Sequence, residues 1–275
     1  MSFESLCQKR YKIGVVGIGR GAGATFVSMS LAFLLAKEGQ ETKRKKTRNL
    51  QKRGQGRYPA LSCITYVECQ NPKHEAEQAY YIGALDKRFE KMGFVDFFQL
   101  HREGGFIGNR INLHKGINWV VHRNAVWEDS QIDRIWEDLP LDQLAGDVIV
   151  ADSPALETLQ SYDLILGTVD PLPSKIFAGA GVYEALRDLQ VSGLPILWIL
   201  NKDNEQVNHD ELRRFLKWKD YIKIPLFSQE LFYKSQYLCQ LAIETLLQGK
   251  KGKNPFDQLL DLVAQKKKFN EDFMK

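Results

Sequence analysis

The chain has 275 residues, with 38 Lys and Arg against 34 Asp and Glu, a formal net charge of +4 and 44% hydrophobic residues. That balance is ordinary for a globular domain with a large core, and it excludes disordered, collagen-like and small disulfide-stapled classes. No run approaches the about 20 apolar residues of a membrane span, and the amino-terminal MSFESLCQKR lacks a signal-type apolar core, so a cytoplasmic location is expected.

In chain order, residues 11–39 read as an apolar strand, a glycine-rich loop and an amphipathic helix, with Gly17, Gly19, Gly21 and Gly23 at alternate positions. Alternate glycines let a backbone approach an anion closely, with several N–H groups aimed at it beside the positive end of a helix. Phe26, Met29, Ala32, Leu35 and Ala36 continue the apolar face, and Gly39 is a plausible helix stop. Two known loops fit this stretch. Gly17-Ile18-Gly19-Arg20-Gly21-Ala22 satisfies the GxGxxG/A fingerprint of dinucleotide-binding domains, whereas Gly23-Ala24-Thr25 aligns with the GK[ST] close of a P-loop, with Ala24 in place of lysine.

Residues 43–57 hold eight Lys or Arg and no acid, which reads as a solvated, self-repelling loop or as a contact to nucleic acid or an acidic partner. A second buried strand over 61–72 brings Glu68 and Gln70 to its end. A helix is expected over 74–93, an irregular Gly- and aromatic-rich stretch up to residue 116, a strand over 117–123 and a short helix near 129–138. His101 and His114 lack a metal-site spacing and are read as surface residues. Cys7, Cys63, Cys69 and Cys239 show no CxxC pattern, which indicates reduced buried thiols and neither zinc nor disulfides.

GDVIVADSPALET (146–158) delivers Asp152 to another strand end. Strands over 161–171, 194–204 and 221–227 follow, separated by helices near 174–193 and 209–218, with Asn201 and Pro225 at or near strand ends. Helices at about 229–248 and 255–267 close the chain, the last carrying Phe256, Leu259, Leu260 and Val263 on one stripe. Packing on the body is expected of that stripe in preference to a membrane, because Glu271 and Asp272 would face anionic lipid. The alternation of strand and helix predicts one doubly wound α/β domain over 1–275, its mostly parallel sheet covered on both faces, with a basic insertion at about 40–58 and terminal helices at about 229–268. Ligands in such sheets bind beyond the carboxyl ends of the strands, where the glycine loop, Glu68, Asp152 and Asn201 all fall.

The loop, its following helix, the Asp152-Ser153-Pro154 segment and the Asn201 strand end together resemble the ParA/MinD family of deviant P-loop ATPases, whose loop reads KGGxGKT. The resemblance implies a P-loop NTPase-like fold of the SIMIBI class and a site for ATP or ADP with magnesium. Gly19, Arg20, Gly21, Ala22, Gly23, Ala24, Thr25 and Phe26 would line the phosphates, with Asn201 and Pro225 beside adenine. Thr25 and Asp152 would serve the metal, and Asp152 and Glu68 the attacking water. Gly19 and Ala24 occupy both lysine positions of the motif, with Arg20 beside the first. Each lost lysine removes charge-assisted hydrogen bonds of roughly 1.5–3 kcal/mol, so weak binding and slow or absent hydrolysis are implied. The resemblance implies self-association and a protein partner, hence a positioning, recruitment or regulatory role. A non-catalytic scaffold stays open as an alternative. So does an NAD(P)-binding oxidoreductase using the GxGxxA loop, for which Glu38 or Glu41 would be the ribose-binding acid.

Overall fold

A computed structural model describes residues 10–51, 63–69, 95–105, 107–108, 110–121, 139–238, 240–249 and 254–273. The elements run β1 (Tyr11–Ile18), α1 (Ala24–Gln51), β2 (Ile64–Glu68), α2 (Phe97–Arg102), β3 (Leu113–His114), β4 (Ile117–Val120), β5 (Val148–Asp152) and β6 (Leu164–Val169). Then come α3 (Pro173–Ala178), α4 (Ala180–Val191), β7 (Ile196–Asp203), α5 (His209–Leu216), β8 (Ile222–Pro225), α6 (Gln229–Tyr237), α7 (Ala242–Gly249) and α8 (Asp257–Phe273). The strands form one sheet in the order β3-β4-β2-β5-β1-β6-β7-β8. Every pairing is parallel except the short β3–β4 ladder.

The central strands are buried on both faces, as a parallel sheet between helices requires. Tyr11, Ile13 and Val15 of β1, Val148 and Val150 of β5, and Leu164 and Leu166 of β6 point into the cluster that contains Val27, Leu31 and Leu34 of α1. Val16, Ile18, Ala151, Ile165 and Val169 alternate to the opposite face, where Leu186 of α4 and Leu212 and Leu216 of α5 cover them. By this alternation Glu68 and Asp152 lie on the α1 side of the sheet, two residues beyond Tyr66 and Val150, and Asn201 lies there two beyond Ile199.

Several local expectations are revised. Gly39 does not stop α1, whose backbone continues to Gln51, so the first part of the basic stretch is helical instead of a loop. Its Lys, Arg, Glu and Gln residues are strong helix formers and outweigh the about 1 kcal/mol penalty of one interior glycine. The irregular stretch contains α2, because Asp96 caps it by accepting from the backbone N–H groups of Phe98 at 3.1 Å and Gln99 at 3.0 Å. The helix expected near 174–193 is two helices that meet at Gly179, and the stretch 229–248 is likewise two. His101 and His114 are half-buried, and so are Cys63 and Cys69. The helices expected over 74–93 and 129–138, Gln70, Cys7, Cys239 and residues 52–62 lie outside the described residues.

Among the described residues no helix is long and apolar enough to cross a membrane. The stripe of α8 packs inward: Phe256, Leu259, Leu260 and Val263 are all buried in the cluster shared with α1. Phe256→Ala should therefore lower the unfolding free energy in urea by about 3–5 kcal/mol, whereas a stripe held free for a lipid surface would leave the midpoint unchanged.

Candidate functional site

Between β1 and α1 the chain turns through Gly19, Gly21 and Gly23, each with φ near +80°. At two of them glycine is needed for space as well as for conformation. A Cβ on Gly23 would stand 2.1 Å from the Asn201 side-chain nitrogen, and one on Gly19 would stand 2.7 Å from the backbone carbonyl of Lys175. The loop is clamped from the β7 side. Asn201 is buried and its Nδ2 donates to the Ala22 carbonyl at 2.8 Å, while the Lys202 ammonium donates to the Gly21 carbonyl at 2.7 Å. Lys202 is itself held by the buried Asp170 carboxylate at 2.7 Å, at the end of β6. Ala22 and Ala24 are buried at the base of the loop, Arg20 and Gly21 are exposed at its crest, and Thr25 is half-buried on the first turn of α1.

Opposite the clamp stand two carboxyl groups. Asp152 and Glu68 are register partners at the ends of β5 and β2, and both are buried. Asp152 accepts from the Tyr66 hydroxyl at 2.9 Å and from the Ser153 hydroxyl at 3.1 Å. The Tyr66 phenol is held well above its ordinary range, first by burial and then by the charges of Asp152 and Glu68. It therefore stays a hydrogen-bond donor to Asp152. The Cys69 thiol is also pushed up, chiefly by burial and further by the same two carboxylates. Two acids side by side out of water are costly unless their charge is offset. Carboxylate oxygens and a hydroxyl such as that of Thr25 are hard donors of the kind magnesium takes. Among the described residues no group of three or more His, Cys, Asp or Glu forms a ready-made metal cage.

The remaining expected site residues are placed as follows. Pro225 ends β8 opposite Asp203, and its neighbour Ile224 is in register with Asn201. Phe26 packs its ring in an edge-to-face cluster with Phe227, Phe232 and Phe256 at 5.6–5.8 Å. A cleft of about 580 Å³ lies on the opposite face, between α3 and α5, lined by Asp170, Ile176, Lys202, Leu212, Phe215 and Leu226.

Sequence reasoning overlooked Asp170, Lys202, Lys175 and Tyr66. Asp170 follows an apolar strand just as Asp152 does, a visible signal. Lys202 sits inside Asn201-Lys202-Asp203, but its reach to Gly21 depends on a left-handed backbone at φ 65°. Nothing in the spacing predicts it.

No protein-family model matches the sequence, and no curated protein matches it. Solved structures do. The cell-division ATPase MinD of Pyrococcus furiosus superposes with a TM-score of 0.63 at 15% identity, covering 94% of this chain and 99% of that one. MinD of Pyrococcus horikoshii OT3, complexed with Mg-ADP, gives 0.59 at 14% identity, covering 91% and 92%. A Borrelia burgdorferi B31 protein described as a plasmid partition protein, bound to AMPPNP, gives 0.56 at 17% identity, covering 87% and 98%. The class these likenesses define is a ParA/MinD-like, mostly parallel α/β fold of the P-loop type. The chain carries that fold over most of its length. The strand order separates it from the dinucleotide-binding arrangement, because β5 lies between β1 and β2. Glu38 and Glu41 lie within α1, away from the end of β2 where a ribose-binding acid belongs.

Because Glu68 is one of the charges that raise the Cys69 thiol, Glu68→Gln should lower it and increase the thiolate fraction at fixed pH. Site-resolved alkylation followed by mass spectrometry is expected to find Cys69 slow at pH 8 in the parent and faster by about threefold or more in the variant.

Proposed function

We propose that this chain binds an adenine nucleotide with magnesium at the loop between β1 and α1, and acts as a ParA/MinD-like positioning, recruitment or regulatory factor that hydrolyses ATP slowly or not at all. One observation carries the reading: the glycine loop, the Asp152–Glu68 pair and the Asn201 strand end fall at the carboxyl ends of β1, β5, β2 and β7, at one edge of the sheet on the α1 face. The loop amides would take the phosphates at the positive end of α1. Thr25 would hold magnesium directly, and Asp152 would support it through water. Glu68 would orient the attacking water. The base would lie toward Asn201 and Pro225.

With alanine at the position of the P-loop lysine and glycine at that of the signature lysine, the charges that stabilise phosphoryl transfer are reduced, which supports a binding switch over a fast enzyme. Such a protein works through what it contacts: a second copy of itself, a protein partner, and nucleic acid or an acidic surface through residues 43–57. Its place is the cytoplasm.

Equilibrium titrations with ATP, ADP and NADPH, with and without magnesium, test this directly. ATP and ADP should bind in the presence of magnesium and NADPH should not. Asp152→Asn, which keeps an acceptor for Tyr66, should weaken magnesium-supported ATP binding by about 10- to 100-fold and remove any residual phosphate release. Tight NADPH binding without ATP binding would overturn the reading, and failure to bind any nucleotide would leave the interaction scaffold.

A further inference from the structure

The place where the signature lysine would sit is filled by the chain itself. A Cβ on Gly19 would meet the Lys175 carbonyl at 2.7 Å, and one on Gly179 would meet the Gly19 nitrogen at 2.6 Å and the Ile18 carbonyl carbon at 2.7 Å. Two glycine backbones are thus in direct apposition, and the junction of α3 and α4 lies flat against the start of the loop. This explains why α3 ends at Gly179, whose N–H still bonds back to the Lys175 and Ile176 carbonyls. No long side chain fits at residue 19 without moving backbone.

The same apposition brings a different cation to the loop. Lys175 stands on the first turn of α3, half-buried, with its ammonium 3.8 Å from the Cβ position of Gly21. Among the described residues it forms no ion pair. Lys202, by contrast, is engaged by Asp170 and by the Gly21 carbonyl, so its charge is spent on holding the loop. We propose that Lys175 replaces the missing loop lysines as the phosphate cation, so that recognition of a nucleoside triphosphate is completed within one chain, with Lys202 as the positioning residue that keeps the loop open. An ammonium has three donors and can reach successive phosphate oxygens, and its benefit grows with the number of charged phosphates within range. This inference rests on the nucleotide reading above and deepens it.

Binding of ATP, ADP and AMP to the full chain, in the presence of magnesium, tests it. Lys175→Ala should weaken ATP about tenfold or more and ADP less, with AMP unchanged and the unfolding midpoint preserved, and Lys175→Arg should recover most of the ATP affinity. Lys202→Met should weaken all three nucleotides together, as expected of a residue that shapes the loop and leaves the phosphates alone. Calorimetric titration should give one ATP per chain, at concentrations where light scattering shows a monomer. If the parent binds ATP but Lys175→Ala leaves it unchanged, or weakens ATP, ADP and AMP equally, the role of Lys175 is overturned while the nucleotide site stands. ATP bound only by dimers would also overturn it. No nucleotide binding by the parent removes both.

Discussion

The glycine loop is held in shape by side chains that come from the far half of the chain. Asn201 and Lys202 bind the carbonyls of Ala22 and Gly21, so two acceptors that would otherwise face solvent or a ligand are tied to the end of β7. A loop of alternating glycines has many accessible conformations, and fixing it in one opposes a large conformational entropy. Two hydrogen bonds from a strand already buried on both faces accomplish this cheaply, because β7 is itself immobilised by β6 and β8. Gly23 completes the fit, since any side chain there would displace Asn201.

The rest of the site follows from strand register. Parallel pairing of β1 with β5, and of β5 with β2, brings Val15 opposite Asp152 and Asp152 opposite Glu68. The two acids become neighbours although 84 positions of sequence separate them. Tyr66, two residues before Glu68 on the same face, then reaches Asp152 with its hydroxyl. Burial of a carboxyl pair is unfavourable by itself, and here the register of β5 with β2 imposes it.

Residues 17–25 contain no lysine of their own. Position 19 is closed by the backbone of α3, and Ala24 is buried in the core cluster of α1. Basic groups from β7 and α3 approach the loop from outside. The chemistry of anion recognition does not depend on which element contributes the charge, only on where the ammonium ends.

Much of the architecture was readable from the order of residues alone. Apolar runs of strand length, broken by turns and alternating with helical periodicity, define a parallel sheet, because only βα repetition buries such runs on both faces. The positions of Gly19 to Thr25, Asp152 and Asn201 at strand ends were legible for the same reason: polarity returns where a buried strand emerges. Local signals misled where two residues competed, as at Gly39, where neighbouring helix formers carried α1 onward to Gln51. What only the tertiary structure decided was which groups touch. The lysines beside Gly21 come from positions 175 and 202, the acid beside Asp152 comes from position 68, and the room at Gly19 is taken by Gly179 and Lys175. Sequence fixes the identity and face of each side chain through periodicity. Contacts between distant segments are set by sheet order and register, which arise from the whole core packing at once.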